Sequence, residues 1–132
     1  NVRLMNAISV EFGARYLCVL QPIMGFGSYN RSSDEEEMWK ESKDRPVASG
    51  LPYHEALKGY YQAAQARCGK LPYCADLTEI FAGKTNLYND PRHPNPDGYR
   101  LLAEAVFREL RDRGLLAQPE AEESASTAGA GE

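Results

Sequence analysis

The sequence predicts an α/β fold built around a parallel sheet. Two short and mostly apolar runs, residues 15–22 and 71–77, have the length and composition of buried strands. Several other segments carry apolar residues every three or four positions, the spacing of a helix with one buried face. The predicted order is helix, strand, helix, helix, strand, turn, loop and helix. Because two strands are too few for a self-sufficient parallel sheet, we expect further strands to complete this domain.

Composition indicates one domain and argues against nucleic acid as a partner. The chain has 132 residues, 42% of them hydrophobic, so residues 1–116 can form the core of one domain. The formal net charge is −4 and no basic cluster is present, unlike a nucleic-acid-binding surface. No apolar run approaches the roughly 18 residues of a membrane span, and no secretory signal is visible, so we expect a soluble protein, cytoplasmic or secreted.

Both ends of the chain carry expectations of their own. The sequence begins at Asn1 without a methionine, and we expect it to be part of a longer polypeptide. Residues 117–132, which follow Leu116, contain no aliphatic side chain larger than alanine and are rich in Glu, Ala, Ser and Gly. Such a segment buries little apolar area, so it is predicted to be a disordered tail.

Three helices are predicted before the second strand. The first carries apolar residues at helical spacing and ends at Gly13; these residues are Val2, Met5, Ile8 and Phe12. The second begins at Ser33, and the acidic residues 34–37 are interpreted as its solvated first turn rather than as a metal site. The third runs from Tyr53 to about Arg67, and His54 at its start is predicted to have a surface role.

The loop at residues 22–33 follows the first strand, where α/β proteins often place binding sites. Two interpretations of its large apolar side chains stay open. Met24, Phe26 and Tyr29 form an apolar wall for a substrate, or they cover the core locally.

The three cysteines do not form a complete disulfide framework. Cys18 lies in an apolar run and is predicted to be a buried thiol. Cys68 and Cys74 flank a turn-rich segment, so a disulfide between them depends on an oxidising compartment and on a geometry that sequence does not supply. Neither histidine offers a zinc-ligand pair with a cysteine at a familiar spacing, so no metal or cofactor is expected.

Residues 89–98 combine a carboxylate, an imidazole and prolines directly before the last helix. Asp90 stands three residues before His93, one of only two histidines in the chain. Asn95 suits the N-cap of the helix and Pro96 its first position. A proline-rich loop anchored to a packed helix can hold the two side chains in fixed relation, as a catalytic base and its orienting acid require.

The last helix is predicted to have one apolar face and to stop at Gly114. The residues of this face are Tyr99, Leu102, Ala103, Val106, Phe107 and Leu110. Earlier, Asp76 and Glu79 have the spacing of a capping box for one helical turn that carries Ile80 and Phe81.

These residues resemble the last conserved block of the SGNH (GDSL-type) hydrolases. The block reads Asp90-x-x-His93-Pro94-Asn95-x-x-Gly98 and is followed by an amphipathic helix with Leu102-Ala103. The strand that ends in Leu-Gln-Pro at residues 20–22, and Asp76-Leu77 before a short turn, are similar to bacterial members. The resemblance covers roughly residues 1–112.

The resemblance implies a three-layer α/β/α sandwich with a central parallel sheet, of which residues 1–116 would be the C-terminal part. It also implies hydrolysis of a small-molecule ester by a serine nucleophile. In that chemistry His93 is the general base and Asp90 is the acid that orients it.

The sequence also departs from the family. The Gly-Asp-Ser block with the nucleophile and the two blocks with the oxyanion-hole residues are absent. Ser28 follows Gly27 but lacks the aspartate and lies in the wrong part of the fold order, so it is disfavoured as nucleophile. We therefore expect the upstream half of the domain to supply these groups. Alone, the chain should be inactive and should tend to self-associate through unpaired strand edges.

Two alternatives belong to other classes of protein. In a calcium loop, the ligand positions would fall on His93, Asn95, Asp97 and Glu104, although the first is a histidine and prolines interrupt the loop. In a non-catalytic α/β binding or interaction module, Asp90 and His93 would only cap and brace the helix.

Overall fold

The computed structural model describes residues 1–43 and 50–116 as a mixed α/β structure with four helices and one two-stranded parallel sheet. In chain order the elements are α1 (Val2–Glu11), β1 (Cys18–Leu20), α2 (Ser33–Lys43), α3 (Tyr53–Cys68), β2 (Cys74–Asp76) and α4 (Pro96–Asp112). The predicted order of helices and strands is confirmed. The predicted disordered tail at residues 117–132 lies outside the described residues.

The sheet consists of β1 and β2, which run parallel with Val19 opposite Ala75. Both strands are shorter than the apolar runs that predicted them. The backbone pairing continues only one residue beyond them, where the Leu77 N–H donates to the Leu20 carbonyl at 2.9 Å. Pro22 has no N–H to donate and ends the ladder soon after. Both chain segments that leave the carboxyl ends of the strands lead into loops that hold the candidate site.

Within the described residues, two clusters of buried side chains form the core. One lies around the loops and contains Met24, Phe81, Leu87 and Tyr88. The other lies between the sheet and α4 and contains Ala75, Leu77 and Ala105. Met24 has 0% exposure, so the proposed apolar wall for a substrate is wrong at this residue. Tyr29 packs against the same cluster, which confirms local core cover as the role of these two side chains.

The buried face of α4 is rotated from the predicted one. The helix buries Gly98 and Ala105, whereas the predicted face residues Tyr99 and Phe107 are 47% and 55% exposed. Leu102 and Val106 of the predicted face do pack against the sheet cluster. The small residues Gly98 and Ala105 allow the helix to approach closely, so its bulkier aromatic residues remain at the margin. Asn95 caps the helix as predicted, with its side chain accepting from the Gly98 N–H.

The apolar side chains of helix α1 are largely exposed within the described part of the chain. None of its residues is buried, and five apolar residues at or near it are between 44% and 82% exposed. They are Leu4, Met5, Ile8, Val10 and Phe12. This is far more apolar exposure than one surface helix usually shows. Separately, no described helix is both long and apolar enough to span a membrane.

Cys68 and Cys74 form a disulfide that joins the end of α3 to the start of β2. Because the bridge closes a loop of sequence separation 6, its chain-entropy contribution is about 2 kcal/mol. We expect the double replacement Cys68→Ser/Cys74→Ser to lower the free energy of unfolding by about this amount, measured by urea denaturation. Cys18→Ser, at the half-buried free thiol, is the control. Equal stability of the double variant and the oxidised parent would contradict the expectation.

Candidate active site

The structure brings Asp90 and His93 together as a hydrogen-bonded pair. The Nδ1 atom of His93 lies 2.8 Å from Oδ2 and 3.0 Å from Oδ1 of Asp90. Both side chains are accessible, with His93 63% and Asp90 49% exposed. Among the described residues, none forms a hydrogen bond with Nε2 of His93. A carboxylate at Nδ1 favours the tautomer in which Nε2 is an acceptor, as a general base requires.

Asp90 also braces its own loop. Its Oδ1 accepts the backbone N–H groups of Arg92 at 2.8 Å and of His93 at 3.0 Å. Partial burial by itself raises the pKa of Asp90, but these N–H groups and the His93 imidazole outweigh it and hold the pKa below its usual value. The carboxylate therefore stays ionised and keeps both its loop and its imidazole in place.

The two sides of the Asp90–His93 loop are paired with each other. Tyr88 and Pro94 form an antiparallel bridge, and the Asn89 N–H donates to the His93 carbonyl at 2.9 Å. One step further out, the Asn95 N–H donates to the Leu87 carbonyl at 2.8 Å. The loop is therefore the tip of a short paired structure, and its base is residues 86–88 and 94–95.

Asn95 connects this paired base to α4. Its side-chain oxygen accepts from the Gly98 N–H at 2.9 Å, and its side-chain nitrogen donates to the Asn86 carbonyl at 2.8 Å. One amide thus caps the helix and holds the opposite side of the loop. This use of both ends of the amide explains why an asparagine serves here better than the other residues that cap helices.

Gly98 is required by the closeness of the backbone at residue 87. A Cβ atom at this position would lie 2.5 Å from the Leu87 carbonyl oxygen and 2.8 Å from Cβ of Pro94. Both distances are shorter than carbon atoms tolerate. The glycine of the Asp-x-x-His-Pro-Asn-x-x-Gly block therefore allows the helix to lie directly against the base of the loop.

Two neighbouring segments hold the loop from outside. Arg92 donates from Nε to the hydroxyl of Tyr53 at 2.9 Å, and its guanidinium lies 5.0 Å from the centre of that ring. The Met24 N–H donates to the Pro91 carbonyl at 3.2 Å. The start of α3 and the loop after β1 thus both contact the residues between Asp90 and His93.

Glu35 is a part of this region that sequence reasoning missed. It was predicted to lie in a solvated first turn, but it is only 1% exposed, and that prediction is wrong for this residue. Its carboxylate accepts hydrogen bonds from the Tyr29 hydroxyl and from four backbone N–H groups. Ser32 and Glu35 form a reciprocal capping box at the start of α2. The Ser-x-x-Glu spacing was the available signal, and it places the N-cap at Ser32 rather than Ser33.

The other candidate residues lie in separate local structures. Ser28 donates its N–H to the Glu79 carboxylate at 2.9 Å and has no hydrogen bond to Asp90 or His93. The predicted capping box between Asp76 and Glu79 is therefore wrong. The Glu79 carboxylate bonds Ser28, and the Asp76 carboxylate accepts from the N–H and hydroxyl of Thr78. His54 is half-buried rather than on the surface, because its ring stacks on Trp39 with a centroid distance of 3.3 Å.

The residues of the alternative calcium loop form a different structure. Residues from Pro96 onward belong to α4, Asn95 is its cap, and Glu104 pairs with Arg100 at 2.8 Å. A continuous helix cannot curl these side chains around one ion, so this alternative is wrong. Within residues 1–43 and 50–116, no three or more His, Cys, Asp or Glu side chains are grouped to hold a metal ion.

Acid should weaken the fold through two carboxylates of this region. Burial raises the pKa of Glu35, but hydrogen bonds from Tyr29 and from backbone N–H groups outweigh it, so the pKa lies below its usual value, as does that of Asp90. A lowered folded-state pKa stabilises the fold above the unfolded-state pKa, and this contribution is lost as the pH falls through the folded-state pKa.

We therefore expect the free energy of unfolding to fall as the pH drops below about 5, through the usual carboxylate range near 4 and further down. Urea denaturation at a series of pH values measures it. Glu35→Gln should be less stable at pH 7 and should show a flatter dependence. An unchanged slope in this variant would contradict the assignment to Glu35.

Comparisons with protein-family models, with curated proteins and with solved structures found no match to this chain.

Proposed function

We propose that the protein is an ester hydrolase of the SGNH (GDSL) type, in which His93 is the general base and Asp90 orients it. The observation that carries the proposal is the short contact between Nδ1 of His93 and the Asp90 carboxylate in an exposed imidazole, a pairing that favours the tautomer with Nε2 as acceptor. The spacing Asp-x-x-His-Pro-Asn-x-x-Gly, by which the sequence resembles the family, supports the same assignment.

The chemistry follows from these two groups. Nε2 of His93 removes the proton of a serine hydroxyl as its oxygen attacks the ester carbonyl, and the imidazolium then protonates the leaving alcohol. Asp90 stabilises the imidazolium and holds the ring in the correct tautomer. Water then repeats the sequence and releases the acid. The substrate is a small-molecule ester, and no cofactor takes part.

The serine nucleophile and the oxyanion-hole donors come from sequence blocks that these 132 residues do not contain. In this proposal the upstream half of the domain supplies them, together with further strands of a three-layer α/β/α sandwich. The exposed apolar side chains in and just after α1, up to 65% within the helix at Val10 and 82% at Phe12, support the proposal that a further part of the domain covers this face. In the chain alone, the same surface would promote self-association.

The non-catalytic module remains the competing proposal, because Asp90 also braces the loop backbone. That role accounts for the carboxylate, but it gives no reason for an accessible imidazole whose Nδ1 is oriented. The module predicts no hydrolysis by any form of the protein.

The test measures hydrolysis of a p-nitrophenyl ester by the 132-residue chain, by the upstream half expressed separately, and by their mixture. We expect neither part to turn over substrate and the mixture to recover some activity, since the nucleophile and its base then meet. His93→Ala in the chain should remove the recovered activity. Turnover by the purified chain that is lost on Ser28→Ala would overturn the proposal and make Ser28 the nucleophile. No activity in any mixture would favour the module.

A further inference from the structure

We infer that Glu35 is a positioning residue for the His93–Asp90 pair, because it fixes the backbone from which their loop departs. This inference rests on the proposed role of His93 as base. Glu35 itself touches neither residue of the pair. It acts on residues 86–88, one side of the paired base that carries the loop.

Three successive backbone N–H groups converge on the Glu35 carboxylate. Oε2 accepts from Asn86 at 3.1 Å, and Oε1 accepts from Leu87 at 2.8 Å and from Tyr88 at 2.9 Å. Asn86 has φ 57°, the only positive φ of a non-glycine residue among those described. Successive N–H groups around a left-handed residue form a concavity that binds an anion. Here the anion is a side chain from α2, more than fifty residues earlier in the sequence.

The carboxylate is itself held firmly. The Ser32 N–H donates to Oε2 at 2.7 Å, as one half of the capping box that begins α2. The Tyr29 hydroxyl donates to Oε1 and also accepts from the Leu87 N–H at 2.8 Å. Because the side chain is buried and bound on both oxygens, it transmits the position of α2 to residues 86–88 with little freedom.

From residues 86–88 the connection to the catalytic pair is short. Leu87 accepts from Asn95, and Tyr88 is bridged to Pro94. The next pair inward is Asn89 with His93 itself, through the His93 carbonyl. A shift of residues 86–88 therefore changes the separation of the two sides of the loop, and with it the distance from Asp90 to the His93 ring.

Glutamine at position 35 would disturb this arrangement without changing its size. Oε1 can still accept from Leu87 and Tyr88, but the NH₂ group in place of Oε2 would face the N–H groups of both Ser32 and Asn86. Donors would then oppose donors in a buried site. Glu36→Gln is the matched control, because it makes the same chemical change at the neighbouring residue. Its carboxylate pairs with Arg31 and not with residues 86–88.

The test uses nitrogen-15 NMR of the His93 imidazole in the folded 132-residue chain, at a pH where the ring is neutral. The two ring shifts report the tautomer. We expect the parent and Glu36→Gln to hold the proton on Nδ1, and Glu35→Gln to shift population toward the Nε2–H tautomer. Loss of stability alone would not change the tautomer of the folded protein. In the active mixture, Glu35→Gln should lower kcat by about 10- to 100-fold with little change in KM.

Each outcome decides the inference. A parent-like tautomer in folded Glu35→Gln overturns it, whatever the activity shows. If Glu35→Gln does not fold, Tyr29→Phe replaces it, since this change removes only the hydroxyl between Glu35 and Leu87. A smaller shift in the same direction supports the inference, and no shift overturns it. If Glu35→Gln shifts the tautomer but hydrolysis survives His93→Ala, Glu35 does position the pair, and the proposed role of His93 as base is rejected.

Discussion

Alanine in place of His93 is expected to reduce hydrolysis by about 10⁴-fold or more in kcat/KM, in a protein that also supplies the serine. Without a base, the serine hydroxyl keeps its proton, and only oxyanion stabilisation and substrate binding remain. The variant should stay folded, because His93 is 63% exposed and its side chain bonds only Asp90 among the residues that the structure describes. Steady-state kinetics with a p-nitrophenyl ester and a melting curve measure both effects.

The other replacements make this result specific. Asp90→Asn should cost less than His93→Ala, since the base survives with a less favourable tautomer and a weakened loop. His54→Ala is the matched control, because His54 is the second histidine and stacks on Trp39 instead. Retention of most activity by His93→Ala, or equal loss in His54→Ala, would contradict the assigned base.

Alanine in place of Gly98 is expected to destabilise the fold by about 2 kcal/mol, although alanine normally favours a helix by about 1 kcal/mol over glycine. The new Cβ would lie 2.5 Å from the Leu87 carbonyl oxygen, and that backbone is held by Asn95 and Glu35 and cannot easily move. Urea denaturation measures the change. The hydrogen bond between Asp90 and His93 should loosen as well, because residues 86–88 are forced outward.

Gly59→Ala in α3 is the matched control. A Cβ at Gly59 meets nothing within 4 Å, so the substitution should stabilise the fold by about 0.5–1 kcal/mol through helix propensity alone. Opposite signs at the two glycines are the prediction. Stabilisation by Gly98→Ala would show that the close approach of α4 to Leu87 does not hold in solution.

Local patterns predicted the elements because their causes lie within a few residues. The start of α4 is an example: Asn95 and Pro96 act on adjacent backbone, and the structure places both as expected. The pairing of Asp90 with His93 is also local, across three residues. The parallel direction of the strands was predicted from their short and mostly apolar runs, which are typical of strands buried on both faces, and the structure confirms it.

The contacts that support the site were missed because they join distant residues. Glu35 reaches residues 86–88, and Glu79 bonds Ser28 instead of capping its own turn. Neither partner can be read from the sequence near the carboxylate. The buried face of α4 differs from the predicted one for a similar reason. Periodicity assigns the most hydrophobic side chains to the buried face and takes no account of the space that the neighbouring backbone leaves. The structure instead buries Gly98 and Ala105, because their small side chains leave room for the neighbouring backbone.

The most direct measurement of the central claim is covalent labelling with a fluorophosphonate, which reacts far faster with a serine that a base has activated than with other side chains. The reagent is added to the chain mixed with the proposed upstream half of the domain, and mass spectrometry locates the adduct. We predict one phosphonyl group per complex on a serine outside residues 1–132, and loss of labelling when the chain carries His93→Ala. An adduct on Ser28, or labelling that is unaffected by His93→Ala, would contradict the account.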